Sequence, residues 1–313
     1  MNDKLKCEIY HDNFQNYKTY GIPKAQLVIA DIPYNLAEKA YASNPMWYNG
    51  GDNSNGESKL AKKSFFHSDG QFKLAEYMHF CSTMLKKEPK GNGEAPAMIV
   101  FCAFDQMAYL EELAKRYGFN HCYPIFFVKN YSPQVLKANM KIVGATEYAL
   151  VFYREKLPKF RNGCERDENG KPIRGTGKMI FDWFEWRRDS GKDYPKIHPT
   201  QKPVGVLKRL IEIFTDPGDV VIDPCCGSGT TLRASYELGR NSYGFEIDKT
   251  FYREAQEKML APMLEAPPFD QLCFQAEWRP RHESTLRTHN DSALSVDSDC
   301  NGGDSARSAD KPI

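Results

Sequence analysis

One tetrapeptide, Asp31-Ile32-Pro33-Tyr34, has the residue types needed to act on a planar amine. The Asp31 carboxylate can accept one N–H of such an amine. The carbonyl of Ile32 can accept the other, because Pro33 restricts the backbone of the residue before it and holds that carbonyl in an extended orientation. Tyr34 offers a flat face on which a heterocycle stacks. An exocyclic amine on a purine or pyrimidine is a poor nucleophile, since its lone pair is delocalised into the ring. Two acceptors on its hydrogens favour the tetrahedral geometry that frees the pair. The same four residues would also serve a plain strand-to-helix turn, with Asp31 as a cap, Pro33 in the first turn and Tyr34 packing.

A second group lies far downstream. Val220-Val221-Ile222-Asp223 reads as a strand ending in an acid, and Pro224-Cys225-Cys226-Gly227-Ser228-Gly229-Thr230-Thr231 as a glycine turn that opens a helix. Such a turn brings backbone amides close to a ligand and lets Asp223 address a polar or cationic group. Tyr243-Gly244-Phe245-Glu246 is a further strand whose terminal acid comes 23 positions after Asp223, the place where folds of this kind hold a ribose diol. The turn lacks the third glycine of a dinucleotide fingerprint and the Gly-Lys-Ser/Thr ending of a phosphate loop. A nucleoside ligand without a pyrophosphate, such as S-adenosylmethionine, fits better than NAD or ATP.

These groups need strands that end at one edge. Leu27-Val28-Ile29-Ala30 has the length of a buried parallel strand that delivers the tetrapeptide to a carboxyl edge. Residues 7–10, 98–102, 125–128 and 148–152 read as further strands. Leu74, Met78, Cys81 and Leu85 recur at helical spacing within 71–87, and 105–117 and 204–214 read as further helices. Short apolar strands alternating with amphipathic helices indicate a largely parallel α/β sheet. Residues 35–70 are rich in turn formers and carry Lys59, Lys62 and Lys63. A lid that orders on substrate with these lysines near phosphates is the favoured reading, a solvated loop the plainer one.

The 313 residues carry a net charge of +1, which argues against a generally basic nucleic-acid coat. Charge is local instead. Between Val151 and Glu212 stand fifteen Lys or Arg against nine Asp or Glu, interleaved with Phe160, Phe181, Trp183, Phe184 and Trp186. Basic residues mixed with aromatics suit a nucleic-acid groove, although a solvated insertion would look similar. Nine cysteines without paired spacing imply reduced thiols, with neither a disulfide framework nor a zinc site. No apolar signal segment follows Met1 and no stretch has the length of a membrane span, so a cytoplasmic location is expected.

The tetrapeptide at 31–34 together with the 223–231 turn resembles the amino-group DNA methyltransferases, which modify adenine N6 or cytosine N4. His198-Pro199-Thr200-Gln201-Lys202-Pro203 is similar to that family's additional cofactor motif. The order, tetrapeptide first, basic segment next and glycine turn last, is that of the family's beta group. The resemblance spans about residues 7 to 262. It implies a Rossmann-like class I methyltransferase sheet, mostly parallel, with helices on both faces, circularly permuted and carrying an inserted basic recognition segment.

By this resemblance, Asp31, Ile32, Pro33 and Tyr34 hold and stack the target base. Asp223, Pro224, Cys225, Gly227, Ser228, Gly229 and Thr230 shape the S-adenosylmethionine pocket, Glu246 takes the ribose, and Thr200 and Lys202 lie near the methionine moiety. Lys59, Lys62, Lys63, Arg161, Arg174, Lys178, Arg187 and Arg188 are the candidate contacts to double-stranded DNA. Residues 1–153 would form the catalytic half, 154–196 the target-recognition segment and 197–264 the cofactor half. Residues 265–313, acidic and poor in apolar surface, would form a largely disordered tail. The implied activity is methylation of adenine N6, because Asp31 stands where cytosine-N4 members usually have serine. Cytosine N4, an RNA substrate and a silent DNA-binding regulator are the alternatives. A cognate restriction endonuclease and a homodimer are the further expected partners. Two departures stand out: Ile32 replaces the more usual proline, and Cys225 stands where phenylalanine is frequent, which leaves open how the cofactor is covered.

Overall fold

The computed structural model describes residues 5–34, 72–130, 134–137, 142–165, 167–168, 173–198 and 200–264. All of them belong to one compact unit, Met1–Pro267. The candidate lid with Lys59, Lys62 and Lys63, and the tail, lie outside the described residues.

Among the described residues ten strands are formed: β1 (Cys7–Tyr10), β2 (Leu27–Asp31), β3 (Ala97–Cys102), β4 (His121–Lys129), β5 (Gln134–Lys137), β6 (Ile142–Gly144), β7 (Thr146–Tyr153), β8 (Trp183–Trp186), β9 (Val220–Asp223) and β10 (Asn241–Phe245). Eight make the main sheet in the order β1-β10-β9-β2-β3-β7-β4-β8. Neighbours are parallel except around β7, which runs antiparallel to both β3 and β4. The pair β5 and β6 forms a small antiparallel hairpin, too short to leave a periodic signal in the sequence.

Among the described residues the α-helices are α1 (Leu74–Met84), α2 (Met107–Arg116), α3 (Val204–Phe214), α4 (Thr230–Glu237), α5 (Lys249–Glu254) and α6 (Ala261–Leu264), the last two joined by a π-helical turn over Ala255–Leu260. They cover both faces of the sheet, and β2 shows why its sequence is uniformly apolar. Val28 and Ala30 pack with Tyr77, Met78 and Cys81 of α1 and Leu110 of α2. Leu27 and Ile29, pointing the other way, pack with Val204, Leu207 and Leu210 of α3. A strand buried on both faces reads as a continuous hydrophobic run, and full burial of one such side chain contributes about 1.5–3 kcal/mol. Among the described residues no helix is long and apolar enough to cross a membrane.

Two boundaries differ from the sequence reading. β1 pairs with β10, so the first strand of the chain completes the half of the sheet that carries the glycine turn. The segment 154–196 is not wholly an insertion, because β8 within it joins the sheet parallel to β4. The cause is aromatic packing: Phe184 stacks on Phe127 with ring centroids 5.9 Å apart, and Trp186 meets the same ring edge-on.

Candidate active site

β2 and β9 are parallel neighbours, with Val28 opposite Ile222, so both strands end at the same edge. Asp31 and Asp223 are their terminal residues. β10 adds Gly244 opposite Asp223, with Glu246 just beyond. Three sequence-distant groups thereby share the carboxyl edge at which open α/β sheets hold ligands.

Around the tetrapeptide, Lys202 is the organising cation. Its Nζ donates to Oδ2 of Asp31 at 2.7 Å, reaches the Tyr34 hydroxyl at 3.4 Å, and lies 3.7 Å from Oε2 of Glu147. The rings of Phe101, Tyr34 and Trp186 surround that ammonium at 5.3, 5.4 and 5.7 Å, leaving Lys202 only 7% exposed. Tyr34 donates its hydroxyl to Glu147 at 2.9 Å, and Lys129 pairs with the other oxygen of the same carboxylate. Two ammonium groups and two carboxylates thus balance in one pocket, which a buried charge requires.

Burial raises the Asp31 carboxyl above the usual carboxylate range, with Lys202 pulling the other way. Burial acts in the same sense on Glu147, but Lys202 and Lys129 outweigh it and hold that carboxyl below its ordinary value. For Lys202, burial works against the ammonium and is outweighed by Asp31 and Glu147, so it stays protonated above its usual range. The Oδ1 of Asp31 is buried and accepts no hydrogen bond from any described residue. An unsatisfied buried acceptor costs about 1–3 kcal/mol, so this oxygen marks a place for an incoming donor. The backbone around it is pinned. Ile32 donates its N–H to the carbonyl of Phe101 at 3.3 Å, and Gln106 donates from Nε2 to the carbonyl of Pro33 at 3.0 Å.

The neighbouring pocket is shaped by the glycine turn. Gly227 and Gly229 adopt φ of 49° and 77°, the left-handed region that side chains disfavour, and Gly229 caps α4. A Cβ on Gly244 would fall 2.7 Å from Cδ1 of Leu232 and 3.0 Å from Cys226, so β10 approaches the turn as closely as glycine permits. Asp223 accepts from the N–H of Cys225 at 2.9 Å. Burial pushes its carboxyl up to about 7 against hydrogen bonds from Thr231 and that N–H. Pro224 continues the turn, Ser228 and Thr230 are buried in it, and burial with the neighbouring Asp223 holds the Cys225 thiol well above its ordinary range. Glu246 accepts from the N–H of Asp248 at 2.7 Å, and burial raises its carboxyl.

The 198–203 motif bridges the two pockets. His198 lies edge-on to Phe251 with centroids 4.4 Å apart, and burial with the nearby Lys202 lowers it to about 4, so it is neutral at pH 7. Its Nδ1 is 3.1 Å from the Thr200 hydroxyl, beside Gly227. Gln201 accepts from the N–H groups of Ile197 and His198 and fixes the loop. Thr200 therefore stays at the glycine-turn pocket, whereas Lys202, expected near the methionine moiety, turns to Asp31. Just after it, Asp189 accepts from the N–H of Val204 at the start of α3.

Arg161 is corrected too. Its guanidinium donates to both oxygens of Asp216 and both of Glu94, and Lys159 joins the cluster through Asp216 and Asp219. It is an internal tie between segments, unsuited to a phosphate. Arg174, Lys178, Arg187 and Arg188 are exposed, with Arg187 paired to Glu185. Beside them Phe181 and Trp183 stack on each other at 6.0 Å, and both face solvent.

The sequence reading missed Glu147 and Gln106, and it gave His198 and Gln201 only as members of the 198–203 motif without a role of their own. Glu147 had one legible trace, a carboxylate leading directly into an apolar strand; Gln106 had none.

The sequence model of the N6/N4 methyltransferase family, described as DNA methylase, matches residues 25–257. The Type II methyltransferase M.MjaI of Methanocaldococcus jannaschii is 35% identical over 129 residues, which are 40% of this chain and 42% of that protein. The chain therefore spans less than half of that relative. The DNA adenine methyltransferase YhdJ of Escherichia coli (strain K12) is 24% identical over 274 residues, covering 80% of this chain and 81% of that one. Among solved structures, the M1.HpyAVI-SAM complex shares the fold with a TM-score of 0.54 at 24% identity, covering 80% of this chain and 97% of its own.

Proposed function

The chain belongs to the N6/N4 family of DNA methylases, and from that premise we propose that it transfers a methyl group from S-adenosylmethionine to the N6 amine of adenine in double-stranded DNA. One observation carries the reading: the buried, unpartnered Oδ1 of Asp31 at the end of β2, next to the glycine turn after β9.

The residues after β9 and β10 fit the donor. Left-handed glycines shape a tight turn, Gly244 allows close approach, and two carboxylates stand at adjacent strand ends. Asp223, Pro224, Cys225, Gly227, Ser228, Gly229, Thr230, Glu246 and Thr200 would hold it. When bound, S-adenosylmethionine supplies an electrophilic sulfonium methyl.

The protein side of the reaction is positioning. The target base leaves the duplex stack at a cost of a few kcal/mol and lies on the Tyr34 ring, which offsets about 1–3 kcal/mol of it. Asp31 Oδ1 and the carbonyl of Ile32 accept the two N–H bonds of the amine, and the carboxylate steadies the positive charge that develops on nitrogen. Lys202 favours the Asp31 anion against the burial that raises its carboxyl. The remaining assignments follow the sheet: β2, β3, β4 and β7 present the base, β1, β9 and β10 with residues 197–202 present the donor. Within 154–196, Arg174, Lys178, Arg187, Arg188, Phe181 and Trp183 meet DNA.

The test is transfer of tritiated methyl to unmethylated bacterial genomic DNA, followed by digestion to nucleosides. Label in N6-methyl-2′-deoxyadenosine supports the reading. Label in N4-methyl-2′-deoxycytidine overturns the choice of base, and no label in DNA overturns the activity.

A further inference from the structure

We propose that Glu147 is a positioning residue for methyl transfer, fixing the base-stacking ring through the Tyr34 hydroxyl and balancing the Lys202 ammonium that holds Asp31. The inference rests on the proposed amine methylation and deepens it. Glu147 is the second residue of β7, the one strand that runs against its neighbours in the main sheet, so it reaches the carboxyl edge from the opposite chain direction. There its two oxygens divide their work: Oε2 accepts from the Tyr34 hydroxyl at 2.9 Å and lies 3.7 Å from Lys202, and Oε1 pairs with Lys129. A tyrosine whose hydroxyl is anchored presents its ring in one orientation, which is what stacking of an extruded base requires.

The electrostatic part follows from the same contacts. Asp31 faces Lys202 from the loop before α3, Glu147 from β7, which is itself paired to Lys129 of β4, Tyr34 from its own segment, Cys102 from the end of β3, and Asp223 and Cys225 from the turn after β9. Glu147 raises the Asp31 carboxyl and Lys202 lowers it. Neutralising one or the other therefore moves Asp31 in opposite directions. Without Glu147 its ionisation extends to lower pH; without Lys202 it retreats to higher pH.

The experiment is the pH profile of single-turnover methyl transfer to unmethylated genomic DNA by the full chain, for wild type, Glu147→Gln, Lys202→Met, Tyr34→Phe and the Glu147→Gln/Tyr34→Phe double variant. The acid limb of Glu147→Gln should move down by about one pH unit and that of Lys202→Met up by about as much. The plateau rate of Glu147→Gln should fall about tenfold, with an S-adenosylmethionine Kd unchanged within about twofold. Glu147→Gln should add little to the plateau-rate loss of Tyr34→Phe, since both disturb the contact of the Tyr34 hydroxyl with residue 147, while its shift of the acid limb should persist in the double variant. Acid limbs that stay in place, or a Glu147→Gln loss that merely tracks a lowered Tm, overturn the proposal. Should Glu147→Gln fail to fold, the direction of the Lys202→Met limb and the additivity of Tyr34→Phe with Glu147→Asp decide in its stead. Absence of transfer by the wild type instead overturns the methylation reading itself.

Discussion

Lys202 and Asp31, 171 positions apart in the chain, meet through a hydrogen bond of 2.7 Å inside a ring of Phe101, Tyr34 and Trp186. The motif expected to serve the cofactor thus contributes its lysine to the end of β2, while its His198 lies beside Gly227 of the glycine turn.

Asp31→Asn keeps the shape of the side chain and removes its charge. Methyl transfer is expected to fall by about a thousandfold, while the S-adenosylmethionine Kd stays within about threefold of wild type. Tritium transfer and equilibrium binding measure the two quantities separately. Wild-type turnover in this variant would remove Asp31 from the chemistry.

Cofactor binding should depend on pH through Asp223. Its carboxyl titrates at about 7 in the ligand-free protein because burial disfavours the anion. A polar or cationic partner favours the anion, so binding is strongest above that value and weakens as the carboxyl protonates. Affinity is expected to drop about tenfold between pH 8 and pH 6, and Asp223→Asn should flatten the dependence. Titration calorimetry across that range checks both, and a flat wild-type profile would count against the assignment.

Gly244→Ala tests the close approach of β10 to the glycine turn. The added methyl would lie 2.7 Å from Leu232 and 3.0 Å from Cys226, two packed side chains with little room to give. Overpacking of this kind costs about 1–3 kcal/mol, so a lowered Tm together with weaker S-adenosylmethionine binding is expected. Unchanged affinity would mean that the turn shifts without consequence for the ligand.

Arg161 and Arg174 should separate cleanly. Arg161→Met breaks the tie to Asp216 and Glu94 and should lower stability by about 1–2 kcal/mol, a value discounted for the partial exposure of the cluster. DNA affinity should not change. Because Arg161 depresses the Asp216 carboxyl, that stabilisation is present above the unfolded carboxylate value near ~4 and is lost as the pH falls through the lower, folded one. The difference between wild type and variant in chemical denaturation should therefore shrink in strong acid. Arg174→Ala should leave stability alone and reduce the salt dependence of DNA binding by about one unit of slope.

The two pockets were legible in the sequence because each rests on contiguous residues at a strand end, where type and order carry the chemistry. Asp31 to Tyr34 and Asp223 to Thr231 needed no knowledge of the sheet. Glu147, Gln106 and Trp186 were not legible, since each becomes relevant only when strand order brings β7, β3 and β8 to the same edge. Lys202 was visible as a motif member, but its partner Asp31 lies 171 positions away and only the fold brings the two together. Arg161 looked like its basic neighbours because composition does not record which carboxylates the fold places beside a guanidinium. β8 was hidden for a related reason: its aromatics suit a groove as well as a core, and only the unpaired edge of β4 decides between them.

The reversed direction of β7 makes pairing fidelity a condition for activity. Side chains on a strand alternate between faces, so a one-residue slip against β3 and β4 would carry Glu147 to the wrong side of the sheet while preserving most ladder hydrogen bonds. Such misregistered molecules would keep a native-like circular dichroism spectrum and yet react more slowly, so preparations of equal purity would differ in specific activity according to how β7 paired with β3 and β4 during synthesis.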